Sequence, residues 1–70
     1  MKIDEILKNV RKELNISQEQ LARDLNVSYT TLNRWENKRT NPSRLAMVQI
    51  KDYCIAKGIS TDLVAALKLI

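Results

Sequence analysis

Histidine is absent from this 70-residue chain, and cysteine, glycine and proline occur once each. The first absence removes the commonest metal ligand and the commonest general base together. Cys54 stands alone, which excludes a disulfide framework and a cysteine-rich zinc site. One glycine and one proline leave little room for linkers, or for a β-rich fold full of turns. No apolar run approaches the length of a membrane span, and no signal-peptide pattern opens the chain. The expected setting is therefore a reducing cytoplasm, with no membrane, no metal and no cofactor. Nor is any nucleophile spaced with a base, or any carboxylate with another, as catalysis requires. The chain does not read as an enzyme.

What is present suits a small helical unit. At 70 residues, 44% of them hydrophobic, the chain predicts one domain near the lower limit for a core without metal or disulfide. The net charge is +4 with a pI near 9.5, which alone says little. Its distribution says more, because Arg34, Lys38, Arg39 and Arg44 fall within eleven residues, with Glu36 the only acid among them. Such a cluster is the electrostatic footprint expected for phosphate contacts. The plainer alternative is a solvated helix end whose cations complement the macrodipole.

The chain is organised around residues 17–37, SQEQLARDLNVSYTTLNRWEN, which read as two short helices joined by a tight turn. Ser17 is placed as an N-cap, and Gln20 can reach back to its N–H to complete a capping box. Ile16 and Leu21 have the spacing of a hydrophobic staple. Eleven residues later the signature partly repeats, with Ser28 as the cap and Val27 and Leu32 as the staple. The first helix of the pair ends near Leu25. Asn26, which follows, is the non-glycine type that best tolerates a left-handed backbone. Ala22 is small where the two helices must cross closely. Two short helices meeting steeply across such a turn make a helix-turn-helix.

Periodicity places three more helices around this pair. From about Ile3 to Leu14, the residues Ile3, Ile6, Leu7, Val10 and Leu14 line one face, Asp4 and Glu5 suit the first turn, and Arg11 sits at the edge of the stripe. From about Ser43 to Lys57 a helix is apolar on two sides. Ala46, Met47, Ile50, Tyr53 and Cys54 are expected to face the core; Leu45, Val48, Ile55 and Ala56 are expected to face the next helix or a partner. Pro42 fits the first turn of that helix, with Asn41 or Ser43 as its cap. Gly58 reads as a left-handed terminator and Ser60 as the cap of a last helix, about residues 60–69. Leu63, Val64, Ala66, Leu67, Leu69 and Ile70 give that helix more apolar surface than it can bury. Either it dimerises or the chain is cut from a longer protein.

On the helix from Tyr29 to about Asn37, Leu32 and Trp35 point inward, and Trp35 reads as core rather than as a platform for bases. Thr30, Asn33, Arg34 and Asn37 point the opposite way, with Tyr29 at the tip. These are side chains that can read base edges: Arg34 suits guanine O6 and N7, Asn33 suits adenine, and Thr30 or Tyr29 suits a thymine methyl or a phosphate. Gln18, at the start of the preceding helix, is placed either to hold a phosphate or simply as a polar first-turn residue.

The stretch QEQLARDLNVSYTTLNRWEN resembles the helix-turn-helix of the Cro/C1-type (XRE) DNA-binding domains. Gln18, Leu21, Ala22, Leu25, Val27, Ser28, Leu32, Trp35 and Glu36 carry the resemblance, followed by Pro42-Ser43, and it extends more weakly from about Ile3 to Leu67. The chain departs from the family where Asn26 and Lys38 replace its usual glycines; Asn26 and Asn37 are expected to supply the left-handed conformations. The resemblance implies an all-α, compact five-helix bundle of the lambda-repressor-like type. It also implies a repressor-like transcriptional regulator that binds double-stranded DNA sequence-specifically, with its third helix in the major groove. Base reading then falls to Tyr29, Thr30 and Arg34, with Asn33 more peripheral. Phosphate contacts fall to Gln18, Ser28, Lys38, Arg39, Thr40 and Arg44. Related domains further imply an Arg11–Glu36 ion pair anchoring the first helix to the third, and a homodimer through the C-terminal helix. The contrasting expectation is a helix-turn-helix kept as scaffold, an antitoxin-like or tethering protein-interaction module. Its exposed stripe would be apolar or acidic, whereas this one is Thr, Asn and Arg.

Overall fold

The computed structural model describes residues 2–69. Among them the chain forms five helices and no strand: α1 (Ile3–Leu14), α2 (Gln18–Asp24), α3 (Tyr29–Glu36), α4 (Arg44–Ala56) and α5 (Thr61–Lys68). α1 packs on α3 and α5, α2 on α3, and α4 on α5. One apolar cluster draws on every helix, with Ile6, Leu21, Leu32, Ile50 and Leu67 wholly buried in it. Burying a side chain of that size contributes roughly 1.5–3 kcal/mol, so these residues set which face of each helix turns inward.

Local chemistry starts the helices. Ser17, Ser28 and Ser43 each accept a hydrogen bond from the backbone N–H three residues on, at 3.0, 3.0 and 3.2 Å. A cap of this kind is worth about 1 kcal/mol. Because Ser43 rather than Asn41 caps α4, Pro42 lies before the cap and outside the first turn expected for it. The reach-back by Gln20 is also replaced. Its carboxamide donates to Asp24 Oδ1 at 2.7 Å and accepts from Arg23 at 3.5 Å, because a carboxylate one turn further on offers a stronger partner. Ser60 occupies the cap position of α5 without a side-chain bond. Its N–H instead donates to Glu13 Oε2 at 3.0 Å, tying the start of α5 to the end of α1.

The first four helices end alike. The N–H groups of Ile16, Val27, Arg39 and Ile59 donate back to the carbonyls of Arg11, Ala22, Arg34 and Cys54 at 2.9–3.0 Å. Each closure folds around a left-handed residue: Asn15, Asn26, Lys38 or Gly58. The third corrects the expectation for Asn37, which keeps φ −103° while Lys38 takes φ 62°. Positive φ is needed at the residue just before the returning donor, and that register falls on Lys38 whatever its side chain prefers.

α4 buries Ile50 and Cys54, with Ala46, Met47 and Tyr53 packed against the core. Burial pushes the Cys54 thiol up to about 11, so at neutral pH it is a small protonated hydrophobe. The second stripe is not covered by α5: Leu45, Val48 and Ile55 are 70%, 47% and 58% exposed. α5 turns Leu63 and Leu67 inward and leaves Leu69 exposed. Ile70 lies outside the described residues. Tyr53 Oη donates to Asp24 Oδ2 at 2.8 Å, which clasps α4 to α2.

Candidate nucleic-acid interface

The inner face of α3 fixes what its outer face presents. Leu32, Trp35 and Glu36 are buried. A carboxylate there needs a partner, and Arg11 meets it with both prongs, Nε to Oε2 at 2.9 Å and Nη2 to Oε1 at 2.7 Å. The Glu36 side chain is 2% exposed and that of Arg11 26%. The hydrogen bond to Glu36 pushes the Arg11 pKa further up, so the guanidinium stays charged at any ordinary pH. Stranding the carboxylate by removing its partner would cost on the order of 3 kcal/mol. This bidentate pair pins the last turn of α3 to α1 and stops the helix from rolling about its axis.

Thr30 and Arg34 stand exposed on the opposite side, with Tyr29 exposed at the N-terminal tip. Thr30, Asn33, Arg34, Asn37 and Arg39 line one shallow concavity. Lys38, Arg39, Thr40 and Arg44 are exposed along the loop and the start of α4. Glu36, the one acid within residues 34–44, is turned inward to Arg11, so this segment presents its cations with no carboxylate of its own beside them. The acid that does approach is the buried Asp4, whose Oδ2 lies 4.0 Å from Lys38 Nζ.

Three expected contact residues are already engaged within the protein. The Ser28 hydroxyl accepts from the Thr31 N–H at 3.0 Å and shares a hydrogen bond with Thr31 Oγ1 at 2.8 Å. Gln18 Oε1 accepts from Asn33 Nδ2 at 3.2 Å, joining α2 to α3. Asn37 Nδ2 donates to both the carbonyl and the side-chain oxygen of Asn33, at 2.9 and 3.1 Å. The one-turn spacing of Asn33 and Asn37 is a signal the sequence does carry. The link from Asn33 to Gln18, fifteen residues apart, has no local signature.

A capped pair of helices whose second member is locked inward by apolar anchors and an ion pair, and which shows Thr, Arg and further cations outward, defines a DNA-binding helix-turn-helix domain. Comparison of sequences agrees with the geometry. The helix-turn-helix family's sequence profile matches residues 7–54, well over half the chain, and the chain belongs to that family, the Cro/C1-type or XRE domains. No curated protein and no solved structure matches it. The family binds double-stranded DNA and is not enzymatic. Among the described residues, no helix is long and apolar enough to cross a membrane.

Proposed function

We propose that the protein is a repressor-like transcriptional regulator that reads a specific double-stranded DNA sequence with α3 in the major groove. One observation carries the reading: Thr30 and Arg34 are exposed one turn apart on the face away from Leu32 and Trp35, and share a concavity with Arg39. Packing has no use for either side chain. The planar fork of Arg34 matches guanine O6 and N7; Thr30 offers a hydroxyl and a methyl to the neighbouring base, and Tyr29 reaches a thymine methyl or a phosphate from the tip. Gln18, Lys38, Arg39, Thr40 and Arg44 hold phosphates and set the register of α3. A homodimer through the C-terminal helix brings two such surfaces to one site.

The test is Arg34→Ala, measured by chemical unfolding and by binding to every single-base variant of a selected operator. Stability is expected to change by no more than about 0.5 kcal/mol. Discrimination at one base pair of each half-site is expected to fall by about 1–3 kcal/mol, with non-specific affinity falling much less. Equal weakening of every variant would make Arg34 a phosphate contact only. Unchanged binding to all of them would mean that α3 is not the reading element.

A further inference from the structure

Three carboxamides run along the outer edge of the α2–α3 crossing, and a single backbone carbonyl sets the direction of all three. The carbonyl of Asn33 only accepts, so the end of the Asn37 side chain that meets it at 2.9 Å is the amide nitrogen. The Asn33 atom facing that same nitrogen at 3.1 Å must then be an oxygen. This turns the Asn33 nitrogen towards Gln18, which answers with its own oxygen at 3.2 Å. Read from the carbonyl outward, the chain is Asn37 to Asn33 to Gln18, and each link determines the next. Gln18, at the end, has its oxygen held by Asn33, which fixes the direction of its amide and leaves the N–H groups to offer.

We propose that Asn33 is a positioning residue rather than a base reader: through Asn33, Asn37 orients Gln18 so that its amide N–H groups clamp one DNA phosphate. The proposal rests on the DNA-binding reading and adds a role to it. Phosphate oxygens only accept, and a free glutamine amide presents its oxygen as readily as its nitrogen. Fixing the oxygen inward removes the unproductive orientation and leaves less rotational freedom to be lost on binding. Because the relay begins near the end of α3 and finishes on α2, the phosphate contact also fixes where α3 sits along the groove. Asn33 is half-buried and its amide is engaged at both ends, which suits an internal relay better than an adenine contact.

The experiment compares wild type, Gln18→Ala, Asn33→Ala and the double variant on a selected operator, on its single-base variants and over a range of salt. Alanine is a better helix former than asparagine, so α3 is expected to persist, and thermal unfolding checks it. Each single variant is expected to weaken every duplex by about fivefold, the scale of one hydrogen bond. The double variant should bind no worse than Gln18→Ala alone. The slope of log K against log salt should not change, because a neutral amide displaces no counterion. A methylphosphonate at the phosphate facing Gln18 should abolish the difference between wild type and Asn33→Ala. If Asn33→Ala alters the preference at one base pair, or costs as much in the Gln18→Ala background as in wild type, the positioning role is overturned while DNA binding stands. If wild type itself prefers no duplex, the DNA-reading function fails and the relay with it.

Discussion

Lys38 shows what a single residue gives up for its place. Its φ of 62° belongs to a region that costs an ordinary L-residue roughly 1–2 kcal/mol and a glycine nothing. Asn15 and Asn26 take similar angles, but asparagine tolerates them better. A lysine there puts an ammonium on the loop that follows α3, where glycine would put none. Lys38→Gly is expected to raise the unfolding free energy by about 0.5 kcal/mol. Relief of strain is offset in part by the freer unfolded chain and by loss of the weak contact to Asp4. The same change should weaken all DNA sequences alike and reduce the salt slope by about one. Urea unfolding and salt titration check the two halves separately. Lower stability with undiminished affinity would mean that Lys38 serves the fold alone.

At the scale of elements, the helices are joined by specific polar contacts as well as by the core, and in the α2–α4 clasp both partners are shifted from their ordinary pKa values. The hydrogen bond from Tyr53, with a second from Gln20, lowers the Asp24 pKa. Burial, then the bond to Asp24, raises that of Tyr53. A depressed carboxylate contributes stability that is present above its unfolded value of 3.8 and lost as pH falls through the folded one. A raised phenol contributes stability that is present below 10.0 and lost as pH rises through its folded value. Tyr53→Phe is therefore expected to cost about 0.5–1 kcal/mol near neutrality. The cost should fade on acidification below the ordinary carboxylate range, and again in strong alkali. A cost that persists undiminished at about pH 2 would assign it to ring packing instead. The elements themselves were largely legible in the chain. The apolar spacing of α1, the cap serines Ser17 and Ser28 and the left-handed Asn26 and Gly58 depend on near neighbours, and all appear where the sequence puts them. What depended on tertiary geometry was not legible. The register of a helix closure placed Lys38 rather than Asn37 at positive φ, a carboxylate one turn on drew Gln20 away from its cap, and only the packed bundle brings Asn33 to Gln18. The exposed stripe of α3 could be read by angle alone, whereas the partners of its side chains could not.

The whole molecule has more than one kind of surface. One face carries the recognition stripe and its cations. Elsewhere, among the described residues, Leu45, Val48 and Ile55 on α4 and Leu69 after α5 remain uncovered. These are the two places where a homodimer is expected to pair. Under the C-terminal-helix reading, Leu69→Glu should leave helical content unchanged and lower the dimer fraction in sedimentation. If Val48→Glu dissolves the dimer and Leu69→Glu does not, the pairing surface is α4. A wild type monomeric at every concentration would rule the homodimer out. One further consequence follows from the burial of Trp35 on the inner face of α3, since it is the chain's only tryptophan. The residue is an optical label set on the side of α3 away from Thr30 and Arg34, and its emission responds to loosening of the core. Tyr29, at the exposed tip of the same helix, is the chromophore that the proposed reading brings to the DNA, so on that reading unfolding and binding are reported by different rings of one short helix.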